Sequence, residues 1–217
     1  MTAKWSTTAR RAILPIFDKI IAHPFITELM DGTLPKEKFL FYLRQDAIYL
    51  ADFGRTLAGI ASKCQKPEHV SAFLSFAGDT MEVEKALHKA YLGSLENLPP
   101  ISPTCLLYTS FMLRQLAVDS LKVAVATVLP CFWIYKAVGD HILAGEIAPG
   151  NPYQSWIDTY GGVEYGQAVT RALAIGDEMA AHTNEAGRRE MTEAFVVCSR
   201  MEWMFWDSAY KLEKWDI

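Results

Sequence analysis

The sequence predicts an all-α protein, a single domain of about eight helices spanning residues 1–217. Apolar residues recur at the three- and four-residue spacing of helices along most of the chain, and alternating strand patterns are almost absent. Prolines and paired glycines fall at the places where such helices would begin or end. No repeat of solenoid length and no break in composition marks a second domain. We therefore expect one helical bundle.

Three helices are expected in the first part of the chain, over residues 7–21, 35–64 and 67–93. The first ends before His23, because the residue preceding Pro24 is disfavoured in helical geometry. Pro35 suits the first turn of the second helix, where a missing N–H costs no hydrogen bond. That helix places Asp46 within an aromatic stripe formed by Phe39, Tyr42, Tyr49 and Phe53.

Five more helices are expected over residues 103–119, 120–144, 153–160, 163–183 and 185–210. Pro103 lies at a favourable first-turn position, next to a capping Ser102 or Thr104. The pair Asp119–Ser120 separates the first two of these helices. Gly161–Gly162 is typical of a helix C-terminus and ends the short one.

The composition supports a large apolar core, since 51% of the residues are hydrophobic and 21% are charged. Aromatic residues make up 12% of the chain, and clustered aromatics often line a pocket for a flat ligand. The net charge of −4 and the lack of a long basic run argue against a nucleic-acid partner. Four cysteines without a CxxC pair predict reduced thiols in a cytoplasmic protein (Cys64, Cys105, Cys131 and Cys198).

The N-terminus has basic residues but no uninterrupted apolar segment, so it is interpreted as the first helix and not as a signal peptide. The most apolar run, residues 123–135, is too short for a membrane span and contains a proline. We expect a soluble protein without a membrane partner.

One cysteine directly follows a proline within this apolar run. Pro130 predicts a kink in the helix, because it lacks an N–H and crowds the preceding turn. Cys131 would then lie at the kink, with Tyr135 one turn further along the same face. A buried cysteine is more often a packing residue than a functional one, so spacing alone leaves both interpretations open.

Two acids are also embedded among aromatic residues, Asp46 beside Tyr49 and Glu202 beside Phe205. Buried acids need a polar partner or a functional role, because removing a charge from water is costly. A thiol and two carboxyl groups are a workable set for covalent and acid–base chemistry. The chain has no GxSxG, GxGxxG, P-loop or HExxH motif. From the residues alone we expect a helical pocket protein, with a thiol enzyme as one possibility.

A series of short motifs, in order along nearly the whole chain, resembles the TenA family of thiaminase II enzymes, also called aminopyrimidine aminohydrolases. The motifs are His23–Phe25, Asp31–Pro35, Gln45–Asp46 with Tyr49, Tyr108–Ser110, Leu129–Cys131 with Tyr135, Thr159–Gly162, and Glu202 with Phe205–Trp206. The resemblance implies a haem-oxygenase-like helical bundle without haem, a homotetramer and a role in thiamin salvage.

The resemblance also implies roles for individual residues. Cys131 matches the catalytic nucleophile, Asp46 the acid that holds the amino and ring-nitrogen edge of the pyrimidine, and Glu202 the acid that handles protons. The implied substrate-binding residues are Asp46, Tyr49, Tyr108, Tyr135, Tyr160, Phe205 and Glu84. No metal or organic cofactor is implied.

The implied reaction converts 4-amino-5-aminomethyl-2-methylpyrimidine, and also thiamin, to 4-amino-5-hydroxymethyl-2-methylpyrimidine. Cys131 would add to the ring, Glu202 would supply the activating proton, and Tyr135 would orient the thiol. Two alternatives remain. One is a di-iron oxidase on the same scaffold with Asp46, Glu84, His88 and Glu202 as ligands, although such sites usually need further histidines. The other is a non-catalytic pyrimidine-binding protein.

Overall fold

The computed structural model describes residues 4–91 and 99–217, except the side chains of residues 83–86 and 88–90. The described residues form ten α-helices and no strand, which confirms the all-α class and raises the helix count above the predicted eight. The helices are α1 Trp5–Ala12, α2 Leu14–Ile21, α3 Pro24–Met30, α4 Lys36–Lys63, α5 Pro67–Tyr91, α6 Pro103–Val118, α7 Leu121–Ala144, α8 Gln154–Gly161, α9 Val163–Ala181 and α10 Glu185–Lys211.

The two additional helices lie near the N-terminus. The sequence predicts one helix over residues 7–21, but the structure has two, separated by the non-helical Ile13. Pro15 explains the separation, because it cannot donate the hydrogen bond that would continue α1. The sequence predicts no helix between His23 and Pro35, where the structure has the short helix α3. It begins with Pro24, and the N–H of Phe25 donates to Nδ1 of His23 at 3.1 Å.

Helix α7 is the central helix of the fold, packed against α8, α9 and α10. Among the described residues it is the one helix long and apolar enough to cross a membrane, with a mean hydropathy of 1.5 over its best window. The expectation that no segment reaches that length was therefore wrong. The fold buries 72% of that window, so core packing accounts for its apolar side chains.

The helix continues without interruption through Pro130. Because Pro130 has no N–H, the carbonyl of Ala126 lacks its usual helical partner. One turn earlier, the hydroxyl of Thr127 donates to the carbonyl of Ala124 at 2.5 Å, a local bond that also tends to bend helices. The bend predicted at Pro130 stays a prediction.

Helix α8 lies close against α7 because Gly139 has no side chain. A Cβ atom there would come within 2.6 Å of the Gly161 nitrogen and 2.7 Å of the Tyr160 carbonyl carbon. These are backbone atoms, so the helices would have to move apart. We expect Gly139→Ala to lower the free energy of unfolding by about 1–3 kcal/mol, the usual cost of overpacking.

Gly78→Ala is the matched control for Gly139→Ala. Gly78 also lies within a helix, but a Cβ there would meet no atom within 4 Å. This variant should gain up to about 1 kcal/mol, since alanine is the better helix former. Urea unfolding of both variants measures the difference. Equal effects of the two substitutions would show that α7 and α8 are not in close contact at Gly139.

Candidate active site

A pocket lies where α4, α5, α7, α8 and α9 meet. The lining residues are mostly aromatic or apolar: Asp46, Leu50, Phe53, Phe76, Asp79, Thr80, Cys131, Phe132, Tyr135, Tyr160, Tyr165 and Ala168. Cys131 therefore lies beside a cavity and not within solid core.

The structure places the predicted site residues in two layers. Asp46, Cys131, Tyr135 and Tyr160 line the pocket itself. The second layer, which does not line the pocket, is buried and consists of Tyr49, Tyr108, Glu202 and Phe205. Its rings pack together, since the Tyr49 ring centre lies 4.9 Å from that of Tyr108 and 5.6 Å from that of Phe205. The side chain of Glu84 lies outside the described residues.

Glu202 is 1% exposed, and its acidity is strongly altered. Burial raises the pKa of its carboxyl group to about 8, and the hydrogen bond from Tyr108 opposes that rise. The Tyr108 hydroxyl donates to Oε1 of Glu202 at 2.7 Å. At neutral pH the carboxyl group is therefore mostly protonated, as a general acid must be.

Cys131 is also strongly perturbed. Burial raises the pKa of its thiol well above the ordinary value, the nearby Glu202 carboxylate raises it further, and hydrogen bonding with Tyr49 lowers it. The sulfur is thus a neutral thiol at pH 7, which is a weaker nucleophile than a thiolate. A nucleophilic role for this sulfur would require its proton to pass to a neighbouring group or to the substrate.

Two tyrosine hydroxyls and one indole form a chain beside the pocket. Nε1 of Trp156 donates to the Tyr42 hydroxyl at 3.2 Å, and that hydroxyl donates to Tyr135 at 3.3 Å. The sequence predicts that Tyr135 orients the Cys131 thiol. In the structure the Tyr135 hydroxyl accepts a hydrogen bond from Tyr42, and the Tyr49 hydroxyl donates to the sulfur of Met112 at 3.7 Å, so the orienting role of Tyr135 stays a prediction.

Tyr165 is a site residue that the sequence reasoning missed. It lines the pocket, and its hydroxyl donates to the backbone carbonyl of Cys131 at 3.3 Å. It lies in the first turn of α9, shortly after Gly161–Gly162, and no motif included it. The nearest sequence motif is Gly161–Gly162, which indicates the end of a helix but does not point to Tyr165.

A wider cleft adjoins the pocket and is negatively charged. Four acids line it, Asp79, Glu82, Asp158 and Glu164, and its described lining contains no lysine or arginine. Asp79, Tyr165 and Ala168 line both the cleft and the pocket. A concave surface of one charge sign raises the local concentration of oppositely charged ligands, so the approach to Cys131 favours cations.

Among the side chains that the structure describes, no group of three or more His, Cys, Asp or Glu could hold a metal ion. The side chains of Glu84 and His88, two of the ligands in the di-iron alternative, lie outside the described residues. That alternative stays a hypothesis, and metal analysis of the purified protein would test it.

Together the fold and the site define an all-helical protein with a thiol and a carboxyl group facing an aromatic pocket. Residues 10–212 match the TENA/THI-4/PQQC family, and the chain belongs to that family. The resemblance to TenA proteins is thereby confirmed.

Two curated relatives illustrate the range of the family. The chain is 36% identical to the aminopyrimidine aminohydrolase of Bacillus subtilis, over 98% of this chain and 92% of that protein. It is 32% identical to the thiamine biosynthesis multifunctional protein ThiED of Corynebacterium efficiens, over 95% of this chain but 28% of that longer protein.

Solved structures match the fold. A TenA homologue from P. horikoshii OT3 superposes with a TM-score of 0.86 at 29% identity, covering 96% of this chain and 99% of that one. A domain from Shewanella denitrificans with a heme oxygenase-like fold gives a TM-score of 0.70 at 14% identity, covering 95% and 92%. The second match concerns the fold alone, and it supports the predicted haem-oxygenase-like bundle.

Proposed function

We propose that this chain is an aminopyrimidine aminohydrolase of thiamin salvage, a C–N hydrolase formed by one domain over residues 1–217. Its substrates are 4-amino-5-aminomethyl-2-methylpyrimidine and thiamin, and its product is 4-amino-5-hydroxymethyl-2-methylpyrimidine. The observation that carries the proposal is the pocket in which Cys131 and Asp46 share one aromatic-lined cavity, with the proton-bearing Glu202 in the layer behind. The curated relative from Bacillus subtilis is named for the same activity.

The pocket suits a flat, polar-edged ring. Phe132, Tyr135 and Tyr160 offer aromatic surface on which a pyrimidine can stack. The Asp46 carboxylate can accept hydrogen bonds from the amino group and from a protonated ring nitrogen. A buried carboxylate that pairs with this edge fixes the orientation of the ring and so determines which ring carbon faces Cys131.

The proposed reaction begins when the Cys131 sulfur bonds to the ring carbon next to a ring nitrogen. Glu202 protonates that nitrogen, and the thiol proton replaces the one that Glu202 has donated. The exocyclic amine is protonated, so the electron pair of the ring nitrogen, passed along the conjugated ring, expels it as ammonia and leaves an exocyclic methylene group. A positioned acid of this kind typically contributes about 10²–10⁴-fold to the rate.

Water completes the proposed cycle. It adds to the methylene carbon, its oxygen becomes the hydroxyl group of the product, and its other proton passes to solvent. The carbon–sulfur bond breaks, and the proton on the ring nitrogen returns to the sulfur. Substrate and water have then become hydroxymethyl-pyrimidine, ammonia and the released proton, and both Cys131 and Glu202 have regained their starting protonation.

The acidic cleft supports this choice of substrates. A protonated aminomethyl group and the thiazolium ring of thiamin both carry a positive charge. Asp79 and Glu164 line the cleft that adjoins the pocket, so a cation is favoured along the approach to Cys131. With thiamin as the substrate, the thiazole takes the place of ammonia as the leaving group.

We also propose that the enzyme is a cytoplasmic homotetramer that needs neither a metal nor an organic cofactor and binds no nucleic acid or membrane. The family resemblance implies the tetramer. Helix α6 supports it, because several of its apolar side chains are exposed and a subunit interface would cover them: Leu106, Leu107, Leu113 and Val118. Sedimentation of the purified protein measures the subunit number.

Ammonia release from aminomethyl-pyrimidine, compared with thiazole release from thiamin, tests the proposed activity. We expect turnover of both substrates and about a tenfold or greater rise in KM for Asp46→Asn, because an amide mismatches the amino edge of the ring. Asp52→Asn is the matched control, since Asp52 lies on the same helix but bonds Arg55 and does not line the pocket. Binding of either compound without turnover would favour the non-catalytic pyrimidine-binding protein.

A further inference from the structure

Tyr165 joins three helices at the mouth of the pocket. It belongs to the first turn of α9, lines the pocket together with Cys131, and also lines the acidic cleft outside. Its side chain is half-buried, so it lies at the boundary between the enclosed space and the open space. Neither the sequence motifs nor the proposed reaction gives it a role.

Its hydroxyl contacts the backbone of the residue that carries the thiol. The bond from Tyr165 to the Cys131 carbonyl is 3.3 Å long and connects residues 34 positions apart. Pro130, the residue before Cys131, withholds the hydrogen bond that the Ala126 carbonyl would accept, so α7 has one fewer internal hydrogen bond next to the thiol. The bond from Tyr165 is an additional contact from another helix to the backbone of Cys131.

The ring of Tyr165 makes a second contact. It meets the ring of Tyr160 edge-on, with centres 5.3 Å apart and planes at 86°. Edge-to-face pairs of this kind fix the relative orientation of their rings. The phenol thus holds the Cys131 turn on α7 with its hydroxyl and the pocket wall on α8 with its ring.

We propose that Tyr165 is a positioning residue. Its hydroxyl holds the backbone of Cys131 so that the sulfur is placed for attack on the substrate, and its ring lines the mouth of the pocket. The expected effect on kcat rests on the proposed function, whereas the positioning of Cys131 by the Tyr165 hydrogen bond does not. Displacing a nucleophile by about 1 Å can lower the reaction rate about 10²-fold. The loss of a single hydrogen bond to the backbone of Cys131 is therefore expected to lower the rate measurably.

Tyr165→Phe tests the proposal, because it removes the hydroxyl and keeps the ring. We expect kcat for aminomethyl-pyrimidine to fall about 3- to 10-fold, the range of one neutral hydrogen bond, while KM changes less than about twofold. Tyr210→Phe is the matched control. Its hydroxyl donates to Glu28 at 2.7 Å, and it lines no part of the pocket. An equal loss of kcat in both variants would overturn the proposal.

A second measurement works without substrate. Alkylation by iodoacetamide, followed by mass spectrometry of each cysteine, should be at least about threefold faster at Cys131 in Tyr165→Phe, because the loosened turn admits the reagent. Cys105 and Cys198 are fully buried and should stay protected, which separates a local effect from general unfolding.

The two measurements distinguish the two hypotheses. Faster alkylation of Cys131 alone in Tyr165→Phe, in a protein that hydrolyses no aminopyrimidine, would support the positioning of Cys131 by Tyr165 and refute the proposed function. An unchanged alkylation rate at Cys131, or equal acceleration at all the buried cysteines, would overturn the positioning role of Tyr165.

Discussion

Cys131→Ser is expected to lower kcat/KM for aminomethyl-pyrimidine about 10³-fold or more. Serine nearly preserves the size of the side chain, so the pocket should keep its shape. Its hydroxyl is a far weaker nucleophile than sulfur, and the apolar, buried surroundings give it no help in losing its proton. Removing a covalent nucleophile typically has an effect of this size or larger. Product formation followed by chromatography measures it.

Cys64→Ser is the control for this substitution. Cys64 is a free, half-buried cysteine at the end of α4 and does not line the pocket. It should retain full activity. If Cys131→Ser kept more than about a tenth of the wild-type rate, a covalent step through sulfur would be ruled out.

Glu202→Gln is expected to lower kcat about 10²–10⁴-fold, because glutamine cannot supply the proton that activates the ring. The wild-type rate should also depend on pH through this group. The carboxyl group has a pKa of about 8, and the acid form is the active one, so activity falls as the pH rises above about 8. The variant should lose this alkaline limb, and a pH profile that kept it would assign the limb to another group.

The same substitution should stabilise the fold at alkaline pH. Burial raises the Glu202 pKa from 4.5 to about 8, so the folded state holds a proton that the unfolded state releases. The stability linked to this proton is complete below pH 4.5 and is lost as the pH rises towards 8. Glutamine resembles the neutral acid and can still accept the Tyr108 hydrogen bond.

Unfolding in urea at pH 4.5 and at pH 8.5 measures this effect. Glu202→Gln should differ little from wild type at the lower pH and gain up to a few kcal/mol at the higher one. A variant that is inactive yet more stable would show that Glu202 is kept for chemistry at the expense of stability. The same change in stability at both values of pH would contradict the raised pKa.

The spacing of apolar residues along the chain was sufficient to predict most of the helices. That spacing predicts eight helices, of which seven match α4 to α10 and the first covers both α1 and α2, because helical periodicity is a property of neighbouring residues. It missed the break at Ile13 and the helix after His23. At both places a proline marks the boundary, since Pro15 cannot continue the hydrogen bonds of α1 and Pro24 opens α3 at its first residue.

By itself the sequence determined the helical class and singled out Cys131, Asp46 and Glu202 as the candidates for the chemistry, because ordered motifs and family resemblance are visible along the chain. Only the tertiary structure decided which of these face the pocket, that Glu202 lies in a second layer, and that Tyr165 reaches the Cys131 carbonyl. The reason is physical. A hydrogen bond between two helices depends on how the helices cross and how closely they pack, and spacing along either helix does not encode that geometry.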